Sequence, residues 1–160
     1  MSKVKHFSFK QEYQSICSQL LSDVHIYTVT DTQGTGGLSV KALWDTGATG
    51  SAITPALAKT MKLVPIDRVK VAGVNDTRIV DVVNVSIGLP NMVMVREVKV
   101  MVCNLNQTFD MVIGMDIIML GDFSISNGNG MTSFSFAIPP FEIKTDLYEK
   151  ALAINKRNRL

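Results

Sequence analysis

The spacing of apolar residues changes once along this chain, from a helical period to a period of two. Near the N-terminus, four apolar residues recur at intervals of three or four positions: Phe9, Tyr13, Ile16 and Leu20. Ser8 precedes them and is followed three residues later by Gln11, which fits a capping box. These features predict an amphipathic helix over residues 9–21.

After this segment, apolar and polar positions alternate, which is typical of half-buried strands. The predicted strands are residues 25–30, 38–44, 69–71, 80–87, 98–102, 109–113, 123–126 and 133–138. Residues 33–37 have the composition of a turn, and residues 127–130 have that of a hairpin tip. Many short strands separated by turns predict an all-β fold with a closed or folded-over sheet.

Three short helical segments interrupt or follow these strands. Thr54 is a favoured N-cap and Pro55 suits a first helical position, so a short helix is predicted at 55–61. Residues 117–120 fit a helical turn, and residues 146–156 are rich in helix-forming side chains. The last of these segments predicts a C-terminal helix.

Composition limits the class of protein. A chain of 160 residues with 46% hydrophobic residues favours one domain that can bury a core. The mean hydropathy of +0.20 suggests that a partner covers part of the apolar surface. A net charge of +2 is too small to indicate nucleic acid, and the basic residues at 156–159 are interpreted as a solvated end.

The chain shows no targeting signal and no metal-binding motif. Cys17 and Cys103 have neither metal nor redox spacing, which favours a reducing compartment. No apolar run follows the N-terminal lysines, and the apolar window 111–120 is too short for a bilayer and contains Asp116. We therefore expect a cytoplasmic protein with no membrane segment, metal or cofactor, and the Met1 start suggests a stand-alone protein.

The most informative motif is the tetrapeptide at 45–48, which follows the predicted strand 38–44. Asp45 leaves a buried strand and enters a turn in which Gly47 allows close backbone approach. Turn amides can orient the Asp45 carboxylate, and Thr46 adds a hydroxyl group. Asp-Thr-Gly is a common tripeptide, so the alternative interpretation is a carboxylate that only caps a turn. Its context favours a catalytic group, because within residues 112–117 a second apolar strand ends in Gly114 and is followed by an apolar turn.

These segments resemble the retropepsin-like aspartic proteases, and the likeness covers about residues 25–140. Three elements carry it in order: residues 43–49, a hairpin around Gly73, and residues 112–116. The resemblance implies an all-β retropepsin-like fold that is dimeric, with Asp45, Thr46 and Gly47 catalytic and an Ile-Gly strand crossing behind them. The Gly-x-Asp form of the third element resembles the cellular and bacterial branch.

The resemblance also implies where a polypeptide substrate would bind. Ala48 would lie beside the catalytic turn, and a flap would contribute Ala72, Gly73, Val74 and Asn75. The flap of this chain lacks the glycine-rich tip of the viral enzymes. The chain divides accordingly into an N-terminal helical extension at 1–24, a protease domain at 25–140 and a C-terminal helical tail at 141–160. The extension and the tail could serve dimer contacts, autoinhibition or packing.

Hydrolysis by carboxyl groups requires a pair of them. One ionised carboxyl removes a proton from water while its protonated partner donates to the scissile carbonyl oxygen. The chain contains one Asp-Thr-Gly; Asp31 has a residue inserted before its glycine and lies in a predicted turn, and Asp116 lacks the turn chemistry. The second carboxyl is therefore expected from a second copy related by a two-fold axis. In the family, Thr46 of each subunit would hydrogen-bond across that axis.

Other functions fit less well. Ser51 has no Gly-x-Ser-x-Gly context, the two histidines lie far from any nucleophile pattern, and residues 34–37 lack a dinucleotide-binding context. The prediction is a homodimeric aspartic endopeptidase. The alternatives left open are a non-catalytic peptide-binding or scaffold dimer on the same fold, and a precursor whose extension must be removed.

Overall fold

The computed structural model describes residues 4–72, 77–105 and 108–158. The strands are β1 (Phe7–Glu12), β2 (Leu21–Thr28), β3 (Leu38–Trp44), β4 (Ala52–Ile53), β5 (Asp67–Ala72), β6 (Thr77–Gly88), β7 (Met94–Val102), β8 (Met111–Ile113), β9 (Asp122–Ser126) and β10 (Ser133–Ile138). The helices are α1 (Pro55–Thr60), α2 (Met115–Ile118) and α3 (Leu147–Arg157). A 3₁₀ turn at Gly128–Gly130 lies between β9 and β10. The all-β prediction is confirmed.

Six strands close into a barrel. Their order is β2–β3–β8–β4–β7–β6, and β6 returns to pair with β2. The first half of β6 pairs with β5 and its second half pairs with β2, so the β5–β6 hairpin projects beyond the barrel. Most pairs are antiparallel, but β3 runs parallel to β8, and β4 runs parallel to β7. The barrel interior is filled by aliphatic side chains that are almost fully buried, such as Val24, Ile53, Val85 and Ile113.

A second, antiparallel sheet has the order β1–β10–β9 and packs against the barrel through aromatic rings. Phe134 and Phe136 of β10 are fully buried. Trp44 at the end of β3 stacks on Phe123 of β9, with 5.8 Å between ring centroids. The buried Trp44 Nε1 also donates to Ser22 Oγ at 2.9 Å. Because Trp44 immediately precedes Asp45, these contacts tie the small sheet to the Asp45 turn.

The predicted helix at 9–21 is wrong, and so is the helical extension at 1–24. Residues 7–12 form β1, residues 13–20 are irregular, and β2 begins at Leu21 rather than at residue 25. The reason is tertiary: Phe9 packs against Trp44 and Phe134, each with 5.6 Å between ring centroids. The Tyr13 hydroxyl accepts from Leu21 N at 2.7 Å and donates to Leu21 O at 2.9 Å, which holds the irregular segment in place.

The shorter-range predictions agree better with the structure. The strand at 38–44 and the hairpin of 123–126 with 133–138 are confirmed. In α1, Thr54 Oγ1 accepts from Leu57 N and Pro55 occupies the first turn, as predicted. The C-terminal helix is also confirmed, and Asp146 caps it by accepting from the N–H groups of Tyr148 and Glu149. No residue of α3 is buried, so core packing does not explain the tail.

In the part of the chain that the structure describes, no helix is long and apolar enough to cross a membrane. Both cysteines are free thiols. Burial raises the pKa of the Cys103 thiol. The cytoplasmic location stays a prediction.

The aromatic contact between the two sheets should dominate stability. We expect Phe134→Ala to lower the free energy of unfolding by about 3–5 kcal/mol, because it opens a cavity under Trp44. Ile143→Ala is the control, since this side chain is 86% exposed and should change stability by at most about 0.5 kcal/mol. Urea denaturation of both variants measures the difference. Equal midpoints would mean that the small sheet contributes little to the fold.

Candidate active site

Asp45 lies in a tight turn at the end of β3. Its backbone N–H donates to Ile113 O of β8 at 3.0 Å, and its carbonyl accepts from Ala48 N at 3.2 Å. The N–H of Gly47 donates to Asp45 Oδ1 at 2.8 Å. Asp45 is half-buried, and Thr46 and Gly47 are exposed. The turn therefore fixes the orientation of the carboxylate and leaves it accessible.

Backbone from β8 and α2 supports this turn from behind. A Cβ on Gly114 would lie 2.6 Å from Gly50 C, 2.7 Å from Gly50 O and 2.9 Å from Ala48 O. Met115 N donates to Ala48 O at 2.8 Å, and Asp116 N donates to Thr49 O at 3.2 Å. Only glycine fits at position 114 without displacing the loop that follows Asp45.

A polar bracket, formed by the buried Ser51 and the half-buried Asp116, supports the same loop. Asp116 Oδ2 accepts from Ser51 N at 3.0 Å, and Asp116 Oδ1 accepts from Ser51 Oγ at 2.8 Å. Ser51 Oγ in turn accepts from Gly114 N at 3.1 Å. Ser51 is 1% exposed, so its hydrogen bonds are shielded from water. Sequence reasoning examined both residues as reactive groups and missed this supporting role. The signal that could have found it is the Gly-x-Asp step after an apolar strand.

Two cavities flank the Asp45 turn. The smaller, of about 400 Å³, lies on the side of Asp45 and Thr46. Its wall also includes residues 17–20, Ile125 of β9, Asn127 and Thr132. The larger, of about 720 Å³, lies on the other side and has residues 47–51 as its floor. Its walls come from β5, β6 and β7: Asp67, Val69, Lys70, Val71, Val82, Lys99 and Met101.

The predicted substrate-binding residues are only partly placed. Ala48 lies on the floor of the larger cavity. Ala72 ends β5 and is paired with Thr77 of β6, so the two arms of the predicted flap form a hairpin. Gly73, Val74 and Asn75 lie outside the described residues, so their role stays a prediction.

Asp31 occupies a different place, in the loop before β3, whereas Asp45 follows that strand. Its carboxylate accepts from Gly36 N at 2.7 Å and from Thr35 N at 3.2 Å. The Gly36 N–H, helped by that of Thr35, lowers the pKa of the Asp31 carboxyl. This arrangement is that of a carboxylate that stabilises a turn, and it removes Asp31 as a mate for Asp45. No cluster of three or more His, Cys, Asp or Glu residues suited to a metal occurs within the described ranges.

Comparisons with known proteins find one family and several solved structures that are similar to this chain. Residues 33–117, more than half of the chain, match the family described as aspartyl protease. No curated protein matches the chain. Among solved structures, a retropepsin-like aspartic protease from Rickettsia conorii is similar, at 16% identity, with 86% of this chain and 98% of that chain covered and a TM-score of 0.51. This likeness indicates a shared fold.

Two viral structures are similar over a smaller part of the chain. The simian foamy virus (mac) protease is 18% identical, with 62% of this chain and 92% of that chain covered and a TM-score of 0.44. The EIAV protease in complex with the inhibitor HBY-793 is 20% identical, with 64% and 86% covered and a TM-score of 0.45.

The close approach at Gly114 can be tested directly. We expect Gly114→Ala to lower the free energy of unfolding by about 1–3 kcal/mol or more, because the new methyl group overlaps backbone atoms. Hydrogen exchange of the Ser51 amide, which donates to Asp116, should accelerate in the same variant. Gly128→Ala is the matched control, since its Cβ would meet only Ser126 Oγ at 4.0 Å. An unchanged hydrogen-exchange rate of the Ser51 amide in Gly114→Ala would contradict the view that the close contact at Gly114 supports the loop.

Proposed function

We propose that this chain, which belongs to the aspartyl protease family, is an aspartic endopeptidase that acts as a homodimer. The observation that carries the proposal is the Asp45 carboxylate, oriented by Gly47 N–H and accessible between two cavities. Asp45, Thr46 and Gly47 are the proposed catalytic residues.

The proposed reaction needs two Asp45 carboxyls that share one proton. The ionised carboxyl removes a proton from water, and the water oxygen bonds to the carbonyl carbon of the peptide. The protonated carboxyl donates its proton to the carbonyl oxygen. When the tetrahedral intermediate collapses, the carbon–nitrogen bond breaks and the nitrogen leaves as an amine with the proton that the first carboxyl had removed from water. One hydroxyl of the intermediate gives its proton back to the second carboxyl, so a carboxylic acid product forms and the pair again holds one proton.

The two other carboxyls weighed from the sequence, those of Asp31 and Asp116, are held by hydrogen bonds elsewhere. Asp116 accepts from Ser51 N, Ser51 Oγ and Ile117 N and supports the loop from behind. Asp31 stabilises the turn before β3. A second copy of the chain, with its own Asp45, is therefore the source that the chemistry favours.

The β9 strand is the surface proposed to meet this second copy. It is an edge strand of the small sheet, and within the described residues no strand pairs with its free side. Ile125 is 48% exposed and lines the same cavity as Asp45 and Thr46. The opposite edge strand, β1, carries the charged pair Lys10–Glu12, whereas β9 has no charge after Asp122. Charges protect an exposed edge from pairing, so β9 is the edge better suited to a partner.

An extended polypeptide substrate is proposed to lie in the larger cavity, over Ala48 and beneath the β5–β6 hairpin. Backbone pairing with exposed strand edges would hold such a peptide, and side-chain pockets would select it. Val69, Val71, Val82 and Met101 make much of the wall apolar, which favours apolar side chains near the cut. Gly73, Val74 and Asn75, which lie outside the described residues, are the proposed flap contacts.

Catalysis is tested by Asp45→Asn, because an amide cannot act as the base. We expect cleavage of a diverse peptide pool, followed by mass spectrometry, to fall by more than about a thousand-fold. Asp23→Asn is the matched control, since Asp23 lies in an exposed ion pair with Lys41. Retained peptide binding with no Asp45-dependent cuts in the wild type would favour the non-catalytic binding dimer.

Dimerisation is tested by Ile125→Lys, which places a charge on the proposed interface. We expect the dissociation constant, measured by sedimentation, to rise at least about ten-fold, with activity lost in parallel on dilution. Ile143→Lys makes the same change on the tail, at a side chain that is 86% exposed, and should dimerise normally. Full specific activity in a proven monomer would contradict the homodimer, and normal dimerisation of Ile125→Lys would contradict the β9 surface.

A further inference from the structure

We propose that the larger cavity selects peptides in which an apolar side chain and an acidic side chain are two positions apart, and that Lys99 selects the acidic one. This inference rests on the proposed function, because it names the substrate class of the same groove. It depends on the positions of Lys99 and Met101 relative to the catalytic loop.

Met101 lies at the inner end of the proposed peptide-binding surface, next to the cavity floor. Its backbone N–H donates to Ser51 O at 3.0 Å, which anchors β7 to the loop that follows Asp45. Its Cε lies 3.7 Å from the position of a Cβ on Gly50, so the thioether lies against the cavity floor. Its cross-strand neighbour is the apolar Val82. An apolar substrate side chain fits this inner position.

Lys99 is two residues before Met101 in β7, on the same face of the strand and farther from the cavity floor. Residues two apart on a strand share a face and are separated by about 6.6–6.8 Å. An extended peptide has the same repeat, so a substrate side chain two positions from the one at Met101 reaches Lys99. The residue paired with Lys99 across the ladder is Asn84, a neutral amide. The outer position is therefore polar and positively charged.

No carboxylate among the described residues forms an ion pair with the Lys99 ammonium group. Within the described part of the chain the ion pairs are Lys10–Glu12, Lys41–Asp23 and Arg68–Asp81. Glu97, two residues before Lys99, sits beside the bulge in the β6–β7 ladder with a φ of 55° and forms no such pair. A lysine of this kind can lay its stem along apolar surface and present its charge to a ligand.

The other charges in the cavity do not cancel that of Lys99. Asp67 is paired with Val82, which is itself paired with Met101, so β6 separates Asp67 from β7. The two backbones are about 9–10 Å apart, and among the described residues no ion pair joins Asp67 to Lys99. Asp67 Oδ1 also accepts from Arg68 N at 2.7 Å. Lys70 adds a second positive charge to the wall, so the lining favours an anionic side chain.

The experiment uses fluorescein-labelled octapeptides of Ala and Ser that contain one Leu and, two positions away on either side, Glu, Gln or Lys. Binding to the full-length Asp45→Asn protein is followed by anisotropy, and kcat/KM is measured with the wild type. We expect Glu to be preferred over Gln by about three- to five-fold, as for a solvent-exposed ion pair, and less so at high salt.

Variants assign the preference to one residue. Lys99→Gln should bring the Glu-to-Gln ratio to about one, and Lys99→Glu should favour the Lys peptide. Arg96→Gln, the same charge change on the same strand but outside the cavity lining, should leave the ratio unchanged. A ratio near one in the wild type, a preference that survives Lys99→Gln, or a preference lost only in Lys70→Gln would each overturn the proposal. A Glu preference in binding without any cleavage would support it and contradict the proposed activity instead.

Discussion

The close contact of Gly114 with the backbone of residues 48–50 is the constraint on which the site depends. Without a side chain at 114, α2 can begin directly behind the Asp45 turn, and its first N–H groups reach Ala48 O and Thr49 O. The polar bracket of Ser51 and Asp116 then joins two segments 65 residues apart in the chain. The parallel pairing of β3 with β8 belongs to the same crossing, in a barrel that is otherwise mostly antiparallel.

This support holds the carboxylate from one side only. The backbone of β8 and α2 fills the space behind the turn, while Asp45 and Thr46 face the smaller cavity and Ile125. In the proposed mechanism, a chain with one such turn provides half of a two-carboxyl site, and the apolar exposure next to the turn fits a second half brought by symmetry. The proposed dimer thus explains both the accessible Asp45 carboxylate and the exposed apolar side chain of Ile125 beside it.

The parts that sequence could predict are those set by neighbours in the chain. The Asp45 turn, the Thr54–Pro55 helix start and the β9–β10 hairpin all follow from local turn and capping chemistry. The helix predicted at 9–21 is wrong although Phe9, Tyr13 and Leu20 have helical spacing. Phe9 is held in a strand by aromatic rings of residues that are distant in sequence. Asp116 was missed for the same reason, since its partner Ser51 is remote in sequence.

The turn and the groove wall differ in how freely their residues can change. The turn is fixed by backbone contacts and by the polar bracket, so substitutions there disturb many hydrogen bonds at once. The wall is built from the outer faces of β5 to β7, where Lys99 is exposed and bonded to none of the supporting residues. Met101 combines both kinds of contact, because its side chain lines the cavity and also lies against Gly50 of the loop that follows Asp45. A substitution at Lys99 is therefore expected to alter the proposed specificity without disturbing the turn, whereas a substitution at Met101 acts on both the groove wall and the turn.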